Sequence, residues 1–515
     1  MKARGGIDAA LGLLAAAFAA PSLTYPLSRD QALYWYVGRE WLGGAVPYRD
    51  MVEHKTPLVY AVYAACAALT GETMWGIRAA EIAGTMALGW LAARLARSPG
   101  EAARPGALGA SLLVASVFYY GYFPFQDQAH SELWCALLVA ASVVVARDAR
   151  RADVAALGGG ALLGAAFLAK PPALAFAPLF ALALRARPGG GGAVRTALFV
   201  AMGFVALVAA VAGYFGTHGA FGALVDVVVR ANGAFALEGR KASTLGEWLW
   251  RLWKALDWFT PWSWLFLFSC AAGVVLGVRR HDVALARRYA RPLAWAACAY
   301  LAVFVQLKFF VYQHALFILP CSLLGATLGA DTARLRRPRL AAAGLAAAVV
   351  VSCVAMTPPD VWWLRARNAL RFAAGRLSSE ELVCSFDNAD WIDLTHAQAM
   401  GYWVRDHAAP GDRLLVRGYE PEIYYFAGHR YGGRFFWSSV LVAPGLAYRR
   451  DAWLAEDAAD IERLRPAWVV TFETPPTGAE RESPGWFEAQ GWKRQATIGP
   501  FVALHRDPIS ASTGR

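Results

Sequence analysis

Charge is scarce in this chain: Asp, Glu, Lys and Arg make up 17% of its 515 residues, while apolar side chains make up 57%. A soluble protein of this length carries more charge, and the positive mean hydropathy agrees, so the composition indicates a polytopic membrane protein. Cysteine is scarce outside the apolar runs. Of seven, only Cys384 lies in clearly polar sequence, which excludes a disulfide framework or a cysteine-rich metal site. No small-residue cleavage site ends the first apolar run, which therefore reads as an uncleaved span. A Walker-type loop, a glycine fingerprint after a strand and a cytoplasmic domain are all missing, so nothing points to a nucleotide donor. No tight Asp-x-Asp is present to argue for a divalent metal, and the halves show no internal repeat.

The positive charges are numerous but dispersed. Lys and Arg number 50 against 38 acids, a net +12, and no segment gathers them, which argues against nucleic acid and for cytoplasmic loops. Eleven runs are apolar enough to be spans: Ile7–Leu23, Trp75–Arg94, Gly106–Tyr122, Glu132–Val145, Val154–Ala169, Pro172–Leu184, Thr196–Tyr214, Trp262–Val278, Leu293–Leu307, Phe310–Leu328 and Leu340–Met356. A twelfth, Thr56–Thr70, would invert everything after it. Placed as a helix at the outer interface, it leaves Arg94, Arg97, Arg104, Arg147, Arg150, Arg151, Arg279, Arg280, Arg287 and Arg288 on inside loops. The short outer connections then hold only Lys170 and Lys308. The N-terminus is expected in the cytoplasm and everything after Met356 outside it, in a plasma (inner) membrane protein.

The expected organisation is a membrane module over 1–356, with an outer loop at 24–74, and a small extracytoplasmic α/β domain over 357–515. In that domain Asp393–Gly418 reads helix, turn, strand. "RYGGRFFW" is a candidate strand, "AWLAEDAADIERLRP" a helix, "AWVVTFE" a buried strand, and "GWKRQATIGPFVALHRD" a hairpin. "EPEIYYFAGHRY" reads as strand packing or a binding lip. "GEWLWRLWKALDWFTPW" reads as an interfacial helix with an aromatic belt.

Ionisable residues collect on the outer loops, and four such loops are expected to converge on one pocket. The first loop holds Asp30, Asp50, Glu53, His54 and Lys55. The loop after the third span holds Asp127, His130 and Glu132, the hairpin before Pro171 offers Lys170, and "QLKFFVYQHALFILP" contributes Lys308, Tyr312 and His314. A carboxylate there can take a proton from an acceptor, and cations can hold a departing phosphate. Transfer of a sugar from a polyisoprenyl phosphate needs that combination, and a single displacement inverts the anomeric centre. Plainer readings compete with it. Asp30 could cap the helix beginning near Gln31, Asp50 and Glu53 could pair with Arg49 or Arg39 on the loop surface, and Lys170 could snorkel. A lipid-linked glycan flippase and a non-catalytic envelope scaffold are the alternative functions.

The stretch "SRDQALYWYVGREWLGGAVPYRDMVEHKTPLVY" resembles the first outer loop of the C-type (GT-C) membrane glycosyltransferases, which include the protein O-mannosyltransferases and lipid A aminoarabinose transferases. The matching elements are Asp30, the turn of Gly44, Pro47, Tyr48 and Asp50, and the element of Lys55, Pro57 and Leu58. The resemblance implies Asp30 as catalytic base, and Lys55, His54, Lys170 and His314 at the donor phosphate or sugar. It implies Asp127, Glu132 or Asp50 as a second, acceptor-side acid. It implies no resident cofactor or metal, a lipid-phosphate sugar as co-substrate, and a lipid, glycan or protein acceptor. Thr56 departs from the family, many of whose members have a second proline there.

Overall fold

The computed structural model describes residues 2–98, 101–186, 192–238, 244–257, 262–356, 359–387, 392–442, 448–476 and 479–506. The glycine-rich loop at 187–191 and the end of the aromatic run at 258–261 lie outside the described residues. In chain order the helices are α1 Lys2–Ala19, α2 Arg29–Leu42, α3 Pro57–Thr70, α4 Met74–Ala96, α5 Ala107–Tyr122 and α6 Ser131–Asp148. There follow α7 Ala152–Ala169, α8 Ala177–Arg185, α9 Ala193–Thr217, α10 Phe221–Leu224, α11 Asn232–Glu238 and α12 Leu245–Asp257. Next are α13 Trp262–Arg279, α14 Val283–Phe304, α15 Ile318–Thr332, α16 Pro338–Met356, α17 Pro359–Ala373 and α18 Ser379–Cys384. The last are α19 Leu394–His407, α20 Glu422–Ala427, α21 Ser439–Val442, α22 Arg450–Leu464 and α23 Pro484–Glu488. They form two compact units: Met1–Tyr25 with Trp75–Ala212 and Ala242–Leu370, and Pro26–Met74 with Gly213–Lys241 and Arg371–Arg515.

The first unit is the membrane-spanning part of a polytopic protein. Gly6–Thr24, Ala152–Ala169, Ala193–Thr217, Trp262–Arg279 and Val311–Thr332 are long and apolar enough to cross a bilayer. Their outward side chains are large and apolar, as at Leu198, Met202, Val205 and Phe268, a surface that suits lipid. Two expected spans are broken by tight helical turns, Pro171–Phe176 before α8 and Val311–Phe317 before α15. Lys170, the residue before Pro171, is extended (φ −163°, ψ 119°), as the clash with the following proline ring favours, so α7 ends there and the chain restarts in a tight turn. Small residues let helices approach closely. A Cβ on Gly160 of α7 would overlap the Val200 carbonyl of α9, and one on Gly203 would overlap that of Leu157.

In the second unit, α3 has 14 residues, short of a span, and packs on α2, where a Cβ on Gly38 would lie 2.8 Å from the Ala64 amide nitrogen. A four-stranded sheet of β1 Leu414–Val416, β2 Trp468–Phe472, β3 Lys493–Ile498 and β4 Phe501–His505 has the order β1-β2-β4-β3. β1 and β2 are parallel, which requires a long crossover, and α22 runs directly into β2. β3 and β4 form the expected hairpin, with an irregularity between Arg494 and Ala496. Buried Arg417 grips both oxygens of Asp457 at 2.7 Å, tying the end of β1 to α22.

Two expectations in this unit fail. "RYGGRFFW" forms no strand beyond one isolated bridge at Arg430, because its backbone groups are claimed elsewhere. Tyr36 Oη accepts from the Tyr431 amide at 3.2 Å, Asp460 accepts from that of Arg434 at 3.0 Å, and the Arg434 carbonyl accepts from Val52 at 2.8 Å. "EPEIYYFAGHRY" is not a strand but contains α20, entered through Pro421 and ended by left-handed Gly428. Glu422 in α20 is buried, and burial together with the charge of Glu420 pushes its carboxyl up to about 8.

Replacing Gly203 by Leu should lower the thermal unfolding midpoint or abolish the folded protein, since overpacking costs about 1–3 kcal/mol; Gly213→Leu, where a Cβ meets nothing within 4 Å, is the matched control in the same melting measurement. Glu422 binds its proton more tightly folded than at the ordinary carboxyl value of 4.5. Its contribution is therefore full below about pH 4.5 and lost as pH rises through about 8. Tryptophan-monitored melts should show a midpoint falling between about pH 4.5 and 8, with the fall reduced in Glu422→Gln.

Candidate active site

In the second unit, α2 opens with a capping box: the Ser28 amide donates to Gln31 Oε1 at 2.8 Å, so Ser28 and not Asp30 is the cap. Asp30, in the first turn, is left for other work. Its Oδ2 lies 3.7 Å from Lys55 Nζ and accepts from Tyr34 Oη at 3.3 Å. Asp30 is about one-third exposed and Lys55 mostly enclosed, with its ammonium 5.8 Å above the Tyr34 ring.

The backbone of Lys55 is pinned on both sides. Its amide donates to Glu53 Oε2 at 2.9 Å, and its carbonyl accepts from Tyr48 Oη at 2.9 Å. Glu53 is fully buried, not on the loop surface as expected, and it accepts a short hydrogen bond from Tyr60. Burial alone would raise its pKa. The charge of His54, whose Nδ1 is 3.0 Å away, outweighs that with help from Lys55 and Tyr60, and holds the carboxyl at about 2. The His54 carbonyl accepts from Asn232 Nδ2 at 2.6 Å. Asp50 closes the preceding turn by accepting from the Val46 amide at 2.7 Å and pairs with Arg49 at the surface. Its described partners do not include Asp30 or Lys55.

The first unit holds a second constellation. Glu81 and Arg78, buried three residues apart on α4, form an ion pair at 3.2 Å. Glu81 also accepts from Tyr119 Oη at 2.6 Å and from the Ala129 amide, which fastens the loop before α6. Asp127 lies half-buried in the 125–127 turn of that loop. His130, at the N-cap of α6, stacks on Tyr312 with centroids 4.3 Å apart. Glu132 is fully buried and forms an ion pair with Lys170, and also accepts from Ser131 Oγ at 3.0 Å. Lys170 in turn lies 5.3 Å over Tyr312, so it is a paired lysine and not a snorkelling one. His314 is buried, its Nδ1 3.3 Å from the Phe310 carbonyl oxygen. Three of the four expected loops thus meet within this unit, at Tyr312.

Strain marks the same loops. Among the described residues, seven non-glycines have positive φ, and four lie here: Tyr48 at 69°, Ala129 at 57°, and Leu307 at 55° and Phe309 at 53° on either side of Lys308. Each costs about 1–3 kcal/mol, and such costs concentrate at functional sites. The pair of Arg78 and Glu81 escaped the sequence reading, which expected Glu53 on the loop surface. The pair carried a usable signal, two opposite charges three residues apart inside an apolar helix.

Residues 54–215 match the family model described as dolichyl-phosphate-mannose-protein mannosyltransferase, a stretch that takes in Lys55, Asp127, Glu132 and Lys170. No curated protein matches the chain. Among solved structures, it is similar to ArnT from Cupriavidus metallidurans, crystallised with undecaprenyl phosphate, at a TM-score of 0.58 and 12% identity, over 97% of this chain and 98% of that one. The similarity of fold extends along the whole chain, which has the GT-C fold, and the family match covers residues 54–215 of it.

Proposed function

We propose that this protein is an integral-membrane glycosyltransferase that moves a sugar from a polyisoprenyl phosphate to an extracytoplasmic lipid, glycan or protein, with inversion. The pair of Asp30 and Lys55, 3.7 Å apart, carries the reading, because it joins a carboxylate base to a cation whose backbone is fixed on both sides. The family match over 54–215 and the fold shared with a protein crystallised with undecaprenyl phosphate support the donor class.

In the proposed reaction the donor phosphate becomes the partner of Lys55, and Asp30 is released to accept a proton. The acceptor oxygen attacks the anomeric carbon on the face opposite the phosphate, and its proton passes to Asp30. The bond from the anomeric carbon to the phosphate oxygen breaks with its electron pair going to oxygen. Lys55 neutralises the phosphate charge that results. His54 is proposed to add positive charge beside Lys55, and Lys170 and His314 to contact the donor. Asp127 and Glu132 remain the proposed second acids, with Glu132 already engaged by Lys170. Lys55 supplies the positive charge that a divalent cation would otherwise bring, so the scheme requires no metal. We place the protein in the plasma (inner) membrane with its N-terminus cytoplasmic and the 357–515 domain outside.

Asp30→Asn should fold normally, retain a polyprenyl-phosphate sugar and lose transfer by about 10²–10⁴-fold. Near-wild-type turnover by this variant, measured as sugar released from a radiolabelled lipid-phosphate donor, would show the base assignment to be wrong. Lys55→Gln should weaken donor binding as well as turnover, and nuclear magnetic resonance of the product should show the anomeric configuration opposite to the donor's.

A further inference from the structure

At one end of the helical unit several helix termini are tied together by charged side chains. Asp8 of α1 accepts from the amides of Gly106 at 3.0 Å and Gly109 at 2.8 Å, at the start of α5. The last carbonyls of α4 are held by arginines from other helices: Arg147 donates to those of Arg94 and Arg97 at 2.9 Å, and Arg291 to that of Ala96 at 3.1 Å. Arg288 of α14 pairs with Asp331 of α15 at 2.9 Å. Among these ends lies a cavity of about 240 Å³, lined by Arg94, Arg97, Arg104 and Arg288 together with Trp90 and Leu108.

The charge there does not balance. Asp148 is engaged by Arg94 and Arg147, Glu101 by Arg104, and Asp331 by Arg288. Asp8, the one acid lining the cavity, is engaged by backbone amides. Arg97 and Arg291 have no carboxylate partner among the described residues, and the buried Nε of Arg288 has no hydrogen-bond acceptor there. A positive cavity of this kind calls for an anion. Its rim says which sort. Trp90 is 46% exposed and Leu108 36% exposed on helices that belong to the membrane-spanning unit, and the Arg94 guanidinium sits 5.3 Å above the Trp90 ring. A second cavity of about 480 Å³ on neighbouring residues repeats the pattern, with Arg337 and Arg339 above Ile7, Pro105 and Leu340.

We propose that this arginine-lined cavity binds the phosphate headgroup of an acidic phospholipid, whose acyl chains lie outside it along Trp90 and Leu108. The cavity is smaller than those that enclose a whole drug-sized ligand, about 300–1,000 Å³, which suits a headgroup whose tails remain in the bilayer. Basic pockets between transmembrane helices recognise acidic headgroups in this way, through charge and guanidinium hydrogen bonds to phosphate. The inference does not depend on the catalytic assignment, and its test reads lipid binding and not activity.

The full-length protein, purified in a neutral detergent, is titrated with phosphatidylglycerol, phosphatidylcholine or inorganic phosphate while its thermal midpoint is followed. Phosphatidylglycerol alone should raise the midpoint, and native mass spectrometry should retain it in preference to phosphatidylcholine. Arg97→Gln removes a guanidinium that makes no ion pair among the described residues, so this variant should melt as the parent does without lipid. It should bind phosphatidylglycerol roughly fivefold more weakly, and Arg97→Gln with Arg104→Gln should bind it more weakly still. Arg195→Gln, at an exposed pair with Asp153, should match the parent. Equal responses to the two lipids, a response to inorganic phosphate as large as that to phosphatidylglycerol, or equal effects of Arg97→Gln and Arg195→Gln would each overturn the proposal. If neither Arg97 variant folds, the preference of the unmodified protein between the two lipids decides the matter by itself.

Discussion

A carboxylate taken out of water keeps its charge only when cations and hydrogen-bond donors replace the water, and this structure meets that demand repeatedly. Glu53, Glu81, Glu132 and Asp457 are all buried, and each is paired with a basic side chain: His54, Arg78, Lys170 and Arg417 respectively. The pairs are weak evidence of stability, because removing either partner strands a charge. Their consequence is positional. A buried pair permits few arrangements of the backbone around it, so the loops that carry ionisable groups are defined by the acids beneath them.

The loop around Lys55 illustrates the effect. Glu53 accepts from the Lys55 amide and from Tyr60, while Tyr48, in a left-handed conformation that a non-glycine residue adopts at a cost, donates to the Lys55 carbonyl. Lys55 is a flexible side chain on an inflexible backbone, which suits a group that must exchange one anionic partner for another. In the helical unit Glu81 does comparable work by binding the Ala129 amide, two residues before Ser131 opens α6 and three before Glu132. The acids on which the chemistry is proposed to rest are accordingly only a part of the acids that the site needs.

The apolar helices were legible in the sequence because length and hydropathy are local properties. Each expected span contains a helix, and the departures fall where backbone chemistry intervenes, as at Pro171 and Pro172. The β3–β4 hairpin was legible for the same reason, since alternation on either side of Gly499 and Pro500 needs no distant partner. The segment around Tyr431 was not. Its aromatic, strand-like composition is overridden by Tyr36, Val52 and Asp460, residues far away in the chain. Asp30, Lys55, Lys170 and Glu132 could be picked out as a charged set, but their partners could not. Nothing local distinguishes buried Glu53 from half-buried Asp50, three positions earlier.

That dependence on distant partners has a consequence for how the second unit forms. Arg29 beside Asp30 pairs with Glu420 at 2.7 Å, Glu40 pairs with Arg430 at 3.0 Å, and Trp35 meets Tyr425 edge-on at 5.0 Å. Val52 donates to the Arg434 carbonyl, and its own carbonyl accepts from Trp437. Residues near position 30 and near position 420 are therefore parts of one hydrophobic and ionic core, separated by almost the whole chain. Closing so long a loop is entropically unfavourable and slow compared with forming helices. The loop around Lys55 is synthesised early but cannot complete its hydrogen bonds until the C-terminal segment exists. The proposed base and its lysine acquire their final setting only in the finished chain, so the C-terminal domain is a structural requirement of the candidate site whatever else it binds.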